Sequence, residues 1–112
     1  MDLPWAVTPE KIEEAVRKIV SVGHPRRVIL FGSASSGRTN SNSDADFLVV
    51  TSEEIPSPRK ESVRIRRALR GLFMPMDILV ISEKRLQELT NQPGLIYREA
   101  LRHGKVVYEA AA

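Results

Sequence analysis

Two aspartates separated by one residue open an apolar run, Ser43-Asp44-Ala45-Asp46-Phe47-Leu48-Val49-Val50, and a third interrupts another, Met76-Asp77-Ile78-Leu79-Val80-Ile81. This pattern constrains the fold more than any other in the chain. Short apolar runs of this kind read as strands of a buried sheet, and a carboxylate in such a strand is costly unless something compensates it. Side chains alternate along a strand, so Asp44 and Asp46 point the same way. Two oxygen ligands from one strand and one from a neighbour suit Mg²⁺, which keeps its other positions for water and substrate phosphates. Upstream, the run Val28-Ile29-Leu30-Phe31 enters the turn Gly32-Ser33-Ala34-Ser35-Ser36-Gly37. Gly32 lets the backbone approach a phosphate closely. Ser33 offers a hydroxyl and an amide, and a helix starting there aims free N–H groups at an anion. Together the residues imply divalent metal ions and a nucleoside triphosphate.

Each residue has a plainer reading. Gly32-Ser33 alone is any strand-to-helix turn. Asp44 after Asn40-Ser41-Asn42-Ser43 is an ordinary turn residue. Asp46 and Asp77 resist that reading, because apolar residues follow both directly.

The rest of the chain alternates helices with strands. Thr8-Pro9-Glu10 is a helix start, with a capping hydroxyl, a proline in the first turn and then an acid. Ile12, Ala15, Val16, Ile19 and Val20 recur at helical spacing, and Gly23 and Pro25 end that helix. Strands are expected over Arg27 to Phe31, Asp46 to Thr51, Met76 to Ile81 and, at the end, Lys105 to Tyr108. Ile55-Pro56-Ser57-Pro58 separates the second strand from a helix over Pro58 to Arg70 that stops at Gly71. Ser82 caps a short helix through Leu89, Pro93-Gly94 turns the chain, and Leu95 to Arg102 forms a last helix stopped by Gly104. The expected fold is α/β (α+β): a small mixed β-sheet with helices packed on it.

At 112 residues, the chain is read as one domain spanning residues 1–112. Its hydrophobic content of 42% is ordinary for a globular protein. It has no cysteine, which excludes disulfides and thiolate-bound zinc and suits a cytoplasmic location. No stretch approaches a membrane span. The net charge of +3 permits a nucleic-acid or acidic-protein partner without requiring one.

The motif residues resemble the DNA polymerase β-like nucleotidyltransferase superfamily, and most closely its minimal nucleotidyltransferase (MNT) branch. That pattern is Gly-Ser, a further Gly, a short spacer, Ser-Asp-x-Asp, then a distant Asp on another strand. Gly32, Ser33, Gly37, Ser43, Asp44, Asp46 and Asp77 all fall on it. The resemblance runs from about Arg27 to Ile81, and the tail from Arg98 to Glu109 looks like the end of such small domains. It implies the polymerase β-like fold and nucleotidyl transfer with two Mg²⁺ ions. Asp44 and Asp46 would hold both ions. Asp77 would bind the one that activates the acceptor. Gly32, Ser33 and Ser43 would hold the nucleotide's phosphates.

Larger members of the superfamily add domains that bind base, primer or antibiotic. The acceptor here is therefore expected to be small or supplied by a partner. MNT domains resemble antitoxins encoded beside HEPN toxins, so ATP is the expected donor and a HEPN-domain protein the expected acceptor.

Two alternatives of different class stand beside this reading. One is a non-catalytic module that neutralises its partner by contact. The other is an RNA-directed nucleotidyltransferase that uses the basic helix. In that helix Arg59, Lys60, Arg64, Arg66, Arg67 and Arg70 crowd around Val63, Ile65, Ala68 and Leu69, with Glu61 the one acid among them. Its plain reading is a solvated outer face; its functional reading is a grip on RNA phosphates or an acidic partner surface. Few aromatics interleave with these charges, so nucleic acid is left open and not favoured. A homo-oligomer is also left open. Arg38, beside the turn, is read equally as a triphosphate contact or an ordinary loop arginine.

Overall fold

The protein's structure, a computed structural model, describes residues 6–32, 44–89 and 103–111. In chain order these residues form α1 (Pro9–Gly23), β1 (Arg27–Phe31), β2 (Ala45–Thr51), α2 (Pro58–Ala68), β3 (Met76–Ser82), α3 (Glu83–Leu89) and β4 (Lys105–Glu109). The strands build one sheet in the order β3-β2-β1-β4. β1 pairs antiparallel with both β2 and β4, while β2 and β3 run parallel. A parallel pair needs a crossover between its strands, and α2 provides it. The sheet is therefore mixed, as the sequence implies.

Helix starts follow the local chemistry. The Thr8 hydroxyl accepts a hydrogen bond from the Lys11 N–H at 3.2 Å, and Ser57 does the same for Lys60 at 3.2 Å. A proline follows each cap, where its missing N–H costs nothing.

The boundaries shift slightly from the expected ones. α1 runs through Gly23, and His24 takes the left-handed conformation (φ 46°), donating its N–H to the Val20 carbonyl at 3.0 Å. A side chain at Gly23 would sit 3.3 Å from the Ile65 Cδ1, so this glycine lets α1 and α2 approach. α2 ends at Ala68 rather than Arg70, because the N–H groups of Leu69 and Arg70 turn back to the carbonyls of Arg66 and Arg67 in a tightened last turn. β2 starts one residue early at Ala45, whose N–H donates to the Pro75 carbonyl at 2.9 Å. β3 runs one residue longer, and Ser82 both ends it and accepts from the Arg85 N–H at 3.2 Å to cap α3. The expected turn at Pro93-Gly94 and helix over Leu95 to Arg102 lie outside the described residues.

Two apolar clusters hold the layers together. Ala15, Ile19, Val28, Leu30, Ala45, Phe47, Val49, Ile65, Leu69, Ile78 and Val80 join α1 and α2 to one face of the sheet. Ile29, Phe31, Leu48, Val50, Ile81 and Leu86 join α3 to the other. Fully burying one such side chain contributes roughly 1.5–3 kcal/mol. The central strands are thus apolar on both faces, and their sequences read as continuous apolar runs for that reason.

Candidate active site

β2 runs opposite to β1 and parallel to β3, so the end of β1 and the starts of β2 and β3 share one edge of the sheet. Asp46 is the second residue of β2 and Asp77 the second of β3, and the parallel register sets them directly opposite one another. On its other side Asp46 pairs with Phe31, the last residue of β1. Leu48 and Val50, which alternate with Asp46, belong to the cluster beneath α3. The carboxylates therefore sit on the α3 face of the sheet, beyond the end of its apolar cluster. Asp44, two residues before Asp46, lies exposed just ahead of β2.

Gly32 closes the site on the β1 side. Its φ of +79° is one that side chains rarely adopt. A Cβ there would also land within contact distance of the Asp46 Oδ2. Glycine is needed here to seat a carboxylate, a reason the sequence alone does not give. The resulting cradle holds the Asp46 oxygens against the end of β1.

The Asp46 carboxyl titrates above the ordinary aspartate value of 3.8, first because burial penalises its charge and then because the like charges of Asp77 and Asp44 oppose it. Asp77 and Asp44 are thus both close enough to act on Asp46. Among the described residues no group of three His, Cys, Asp or Glu side chains is already arranged to hold a metal ion. The strands bring Asp46 and Asp77 together, with Asp44 on the flank. An all-oxygen donor set whose charges repel one another fits a hard divalent cation, which would relieve that repulsion. Ser33, Gly37, Arg38 and Ser43 lie outside the described residues.

Two side-chain contacts, one at the site and one at the approach to β3, carry no signal in the sequence. Arg66 of α2 donates from Nη2 to the Asp77 Oδ1 at 2.8 Å. Lys11 of α1 donates from Nζ to the carbonyls of Ala6 and Phe73, both at 2.8 Å, tying the approach to β3 back to α1. Both contacts join residues that the fold, not the local sequence, brings together.

The basic side chains of α2 are exposed, but their contacts differ. Arg64 donates to both Glu61 oxygens at 2.7 Å and to the Val22 carbonyl at 2.9 Å. Those hydrogen bonds hold the Glu61 carboxyl below its usual value. Arg59, Lys60, Arg67 and Arg70 are exposed and make no ion pair among the described residues. Among the described residues no helix is long and apolar enough to cross a membrane.

Comparison with known proteins agrees with this fold. The family model for polymerase beta nucleotidyltransferases matches residues 10–112, a wider span than the motif residues cover. The chain is also 32% identical over 103 residues to a protein adenylyltransferase MntA of Aphanizomenon flos-aquae (strain 2012/KM1/D3). The match covers 87% of this chain and 65% of that protein.

Proposed function

Because the chain belongs to the polymerase beta nucleotidyltransferase family, we propose that it transfers AMP from ATP to a hydroxyl group on a partner protein, with Mg²⁺ as cofactor. The single observation that carries this reading is the placement of Asp46 opposite Asp77 at the sheet edge where the Gly32 turn leaves β1. The relative's name, protein adenylyltransferase, supports adenylate as the group and protein as the acceptor. The resemblance to MNT antitoxins supports a HEPN-domain protein as that partner, and the lack of cysteine is consistent with a cytoplasmic setting.

Asp44 and Asp46 would hold two divalent ions, and Asp77 would share the ion on the acceptor side. Gly32, Ser33 and Ser43 would hold the β- and γ-phosphates. Once bound, the ions would neutralise charge on the phosphates and lower the pKa of the attacking hydroxyl. Asp77 would help take up the proton as the acceptor oxygen forms its bond to the α-phosphorus. The bond from that phosphorus to the bridging oxygen breaks, and pyrophosphate leaves. Most of the acceleration would come from positioning and charge neutralisation.

The test is label transfer from α-phosphate-labelled ATP with Mg²⁺, with the wild-type and Asp77→Ala chains each added to lysate from the source organism. Label on one protein band, absent with the variant, is the expected result. Label in the RNA fraction would mean an RNA acceptor. No label, from a chain that still binds its partner, would mean a module that neutralises by contact.

A further inference from the structure

Arg66 and Asp77 belong to opposite layers. α2 packs on the face of the sheet formed by Phe47, Val49, Ile78 and Val80, whereas Asp77 belongs to the face beneath α3. They meet because β3 is an edge strand, and the arginine reaches round that edge. Its neighbour Arg64 is bound within its own helix and to the end of α1. Arg66 instead reaches one oxygen of the acceptor-side carboxylate.

The strength of this pair is informative. Both side chains are more than half exposed, at 52% and 65%, and a single 2.8 Å contact joins them. Exposed pairs of this kind contribute roughly 0–1 kcal/mol, so Arg66 adds little to the stability of the fold. It does offset charge at a site where carboxylates repel one another. It also places a positive charge on an oxygen that a divalent cation would need.

We propose that Arg66 is the displaceable counter-ion of the site: it holds Asp77 while no cation is bound, and it must release that oxygen for the cation to bind. This inference rests on the metal-site reading given above. It makes Arg66 a positioning residue that sets the cation concentration at which the site loads. Removing its charge should tighten cation binding, and the tightening should depend on Asp77.

The experiment is Mn²⁺ titration of the full chain without nucleotide, for wild type, Arg66→Gln, Arg66→Lys, Asp77→Asn and the Arg66→Gln/Asp77→Asn pair. Thermal melting of each chain checks its fold. Arg66→Gln is expected to bind Mn²⁺ about 3- to 10-fold more tightly, a coupling of about 0.7–1.4 kcal/mol. Arg66→Lys should stay near wild type, and Arg66→Gln should change affinity by less than about 2-fold once Asp77 is already Asn, since the tightening acts through the Arg66–Asp77 contact and the effects of residues in contact do not add. Unchanged or weaker binding by folded Arg66→Gln would overturn the proposal. So would equal tightening in the Asp77→Asn background, which would mean a general charge effect. If Arg66→Gln melts early, Arg66→Met takes its place under the same criteria. A wild-type chain that binds no Mn²⁺ would instead overturn the metal-site reading beneath it.

Discussion

Asp46 stands directly opposite Asp77 across the parallel ladder of β2 and β3, with Gly32 pressed against one of its oxygens and Arg66 on its partner. A parallel register places the two carboxylates on one face, where a single cation can bridge two strands. Asp77→Ala should lower adenylate transfer by at least about 10²–10³-fold, the scale seen when one preorganised electrostatic group is lost. Asp46→Asn should lose transfer to a similar degree and also weaken nucleotide binding. Initial rates with labelled ATP, beside nucleotide titration, distinguish the two. Near-wild-type turnover in Asp77→Ala would remove it from the site.

Gly32→Ala tests the cradle. The substitution meets two obstacles together, a φ of +79° and a Cβ in contact with the Asp46 carboxylate. Strain of this kind costs on the order of 1–3 kcal/mol. In a chain of 112 residues, each kcal/mol lowers the melting temperature by roughly 4–8 °C. Activity should fall further than stability does, because the carboxylate must move to make room. A Gly32→Ala chain that melts like wild type and keeps full activity would show that the turn does not seat Asp46.

The Asp46 carboxyl gives a pH prediction with a definite sign. Its folded-state pKa lies above the ordinary value of 3.8, so the folded chain keeps this proton to higher pH than the unfolded chain does. The contribution of Asp46 to stability therefore falls as pH rises from about 3.8 through the raised value. Without added cation, Asp46→Asn should melt higher than wild type at neutral pH, and the gap should close below pH 3.8. Added Mg²⁺ should raise the melting temperature of wild type and leave Asp46→Asn little changed. Melting curves across pH, with and without Mg²⁺, check both statements.

How much of this was legible in the sequence depends on how local the cause is. The caps at Thr8 and Ser57, the apolar runs of β1 to β3 and the alternation along β2 that sets Asp46 on the face of Leu48 and Val50 are all short-range, and the elements formed where those signals lie. The ends of α2 and β3 moved by a residue or two because backbone hydrogen bonds, such as that from Leu69 to Arg66, decide them. The opposition of Asp46 and Asp77 is legible only in part: both are acids in strands, but the register that pairs them comes from the sheet. The reasons for Gly23 and Gly32 were not legible, because each faces an atom distant in sequence, Ile65 Cδ1 and Asp46 Oδ2. Arg66 was hidden among the other arginines of α2, since only the crossover brings it to Asp77.

The same uneven roles in α2 decide how its basic face should be tested. Arg64 holds Glu61 and the Val22 carbonyl, and so links α2 to the end of α1. Arg64→Glu would remove those hydrogen bonds and set two acids three residues apart, a repulsive spacing on a helix. It should cost about 1–2 kcal/mol, since a net hydrogen bond to a charged group is worth about 1.5–3 kcal/mol and this one is exposed. Arg67 is exposed and makes no ion pair among the described residues, so Arg67→Glu should change stability by no more than about 0.5 kcal/mol. Denaturant unfolding of the two variants should separate them clearly. Arg67→Glu, alone or with Arg59→Glu, is therefore the clean probe of the helix surface. For a protein acceptor with an acidic surface, it should weaken labelling of that protein while leaving ATP binding intact. Loss of ATP binding in a folded Arg67→Glu chain would place this face at the nucleotide instead.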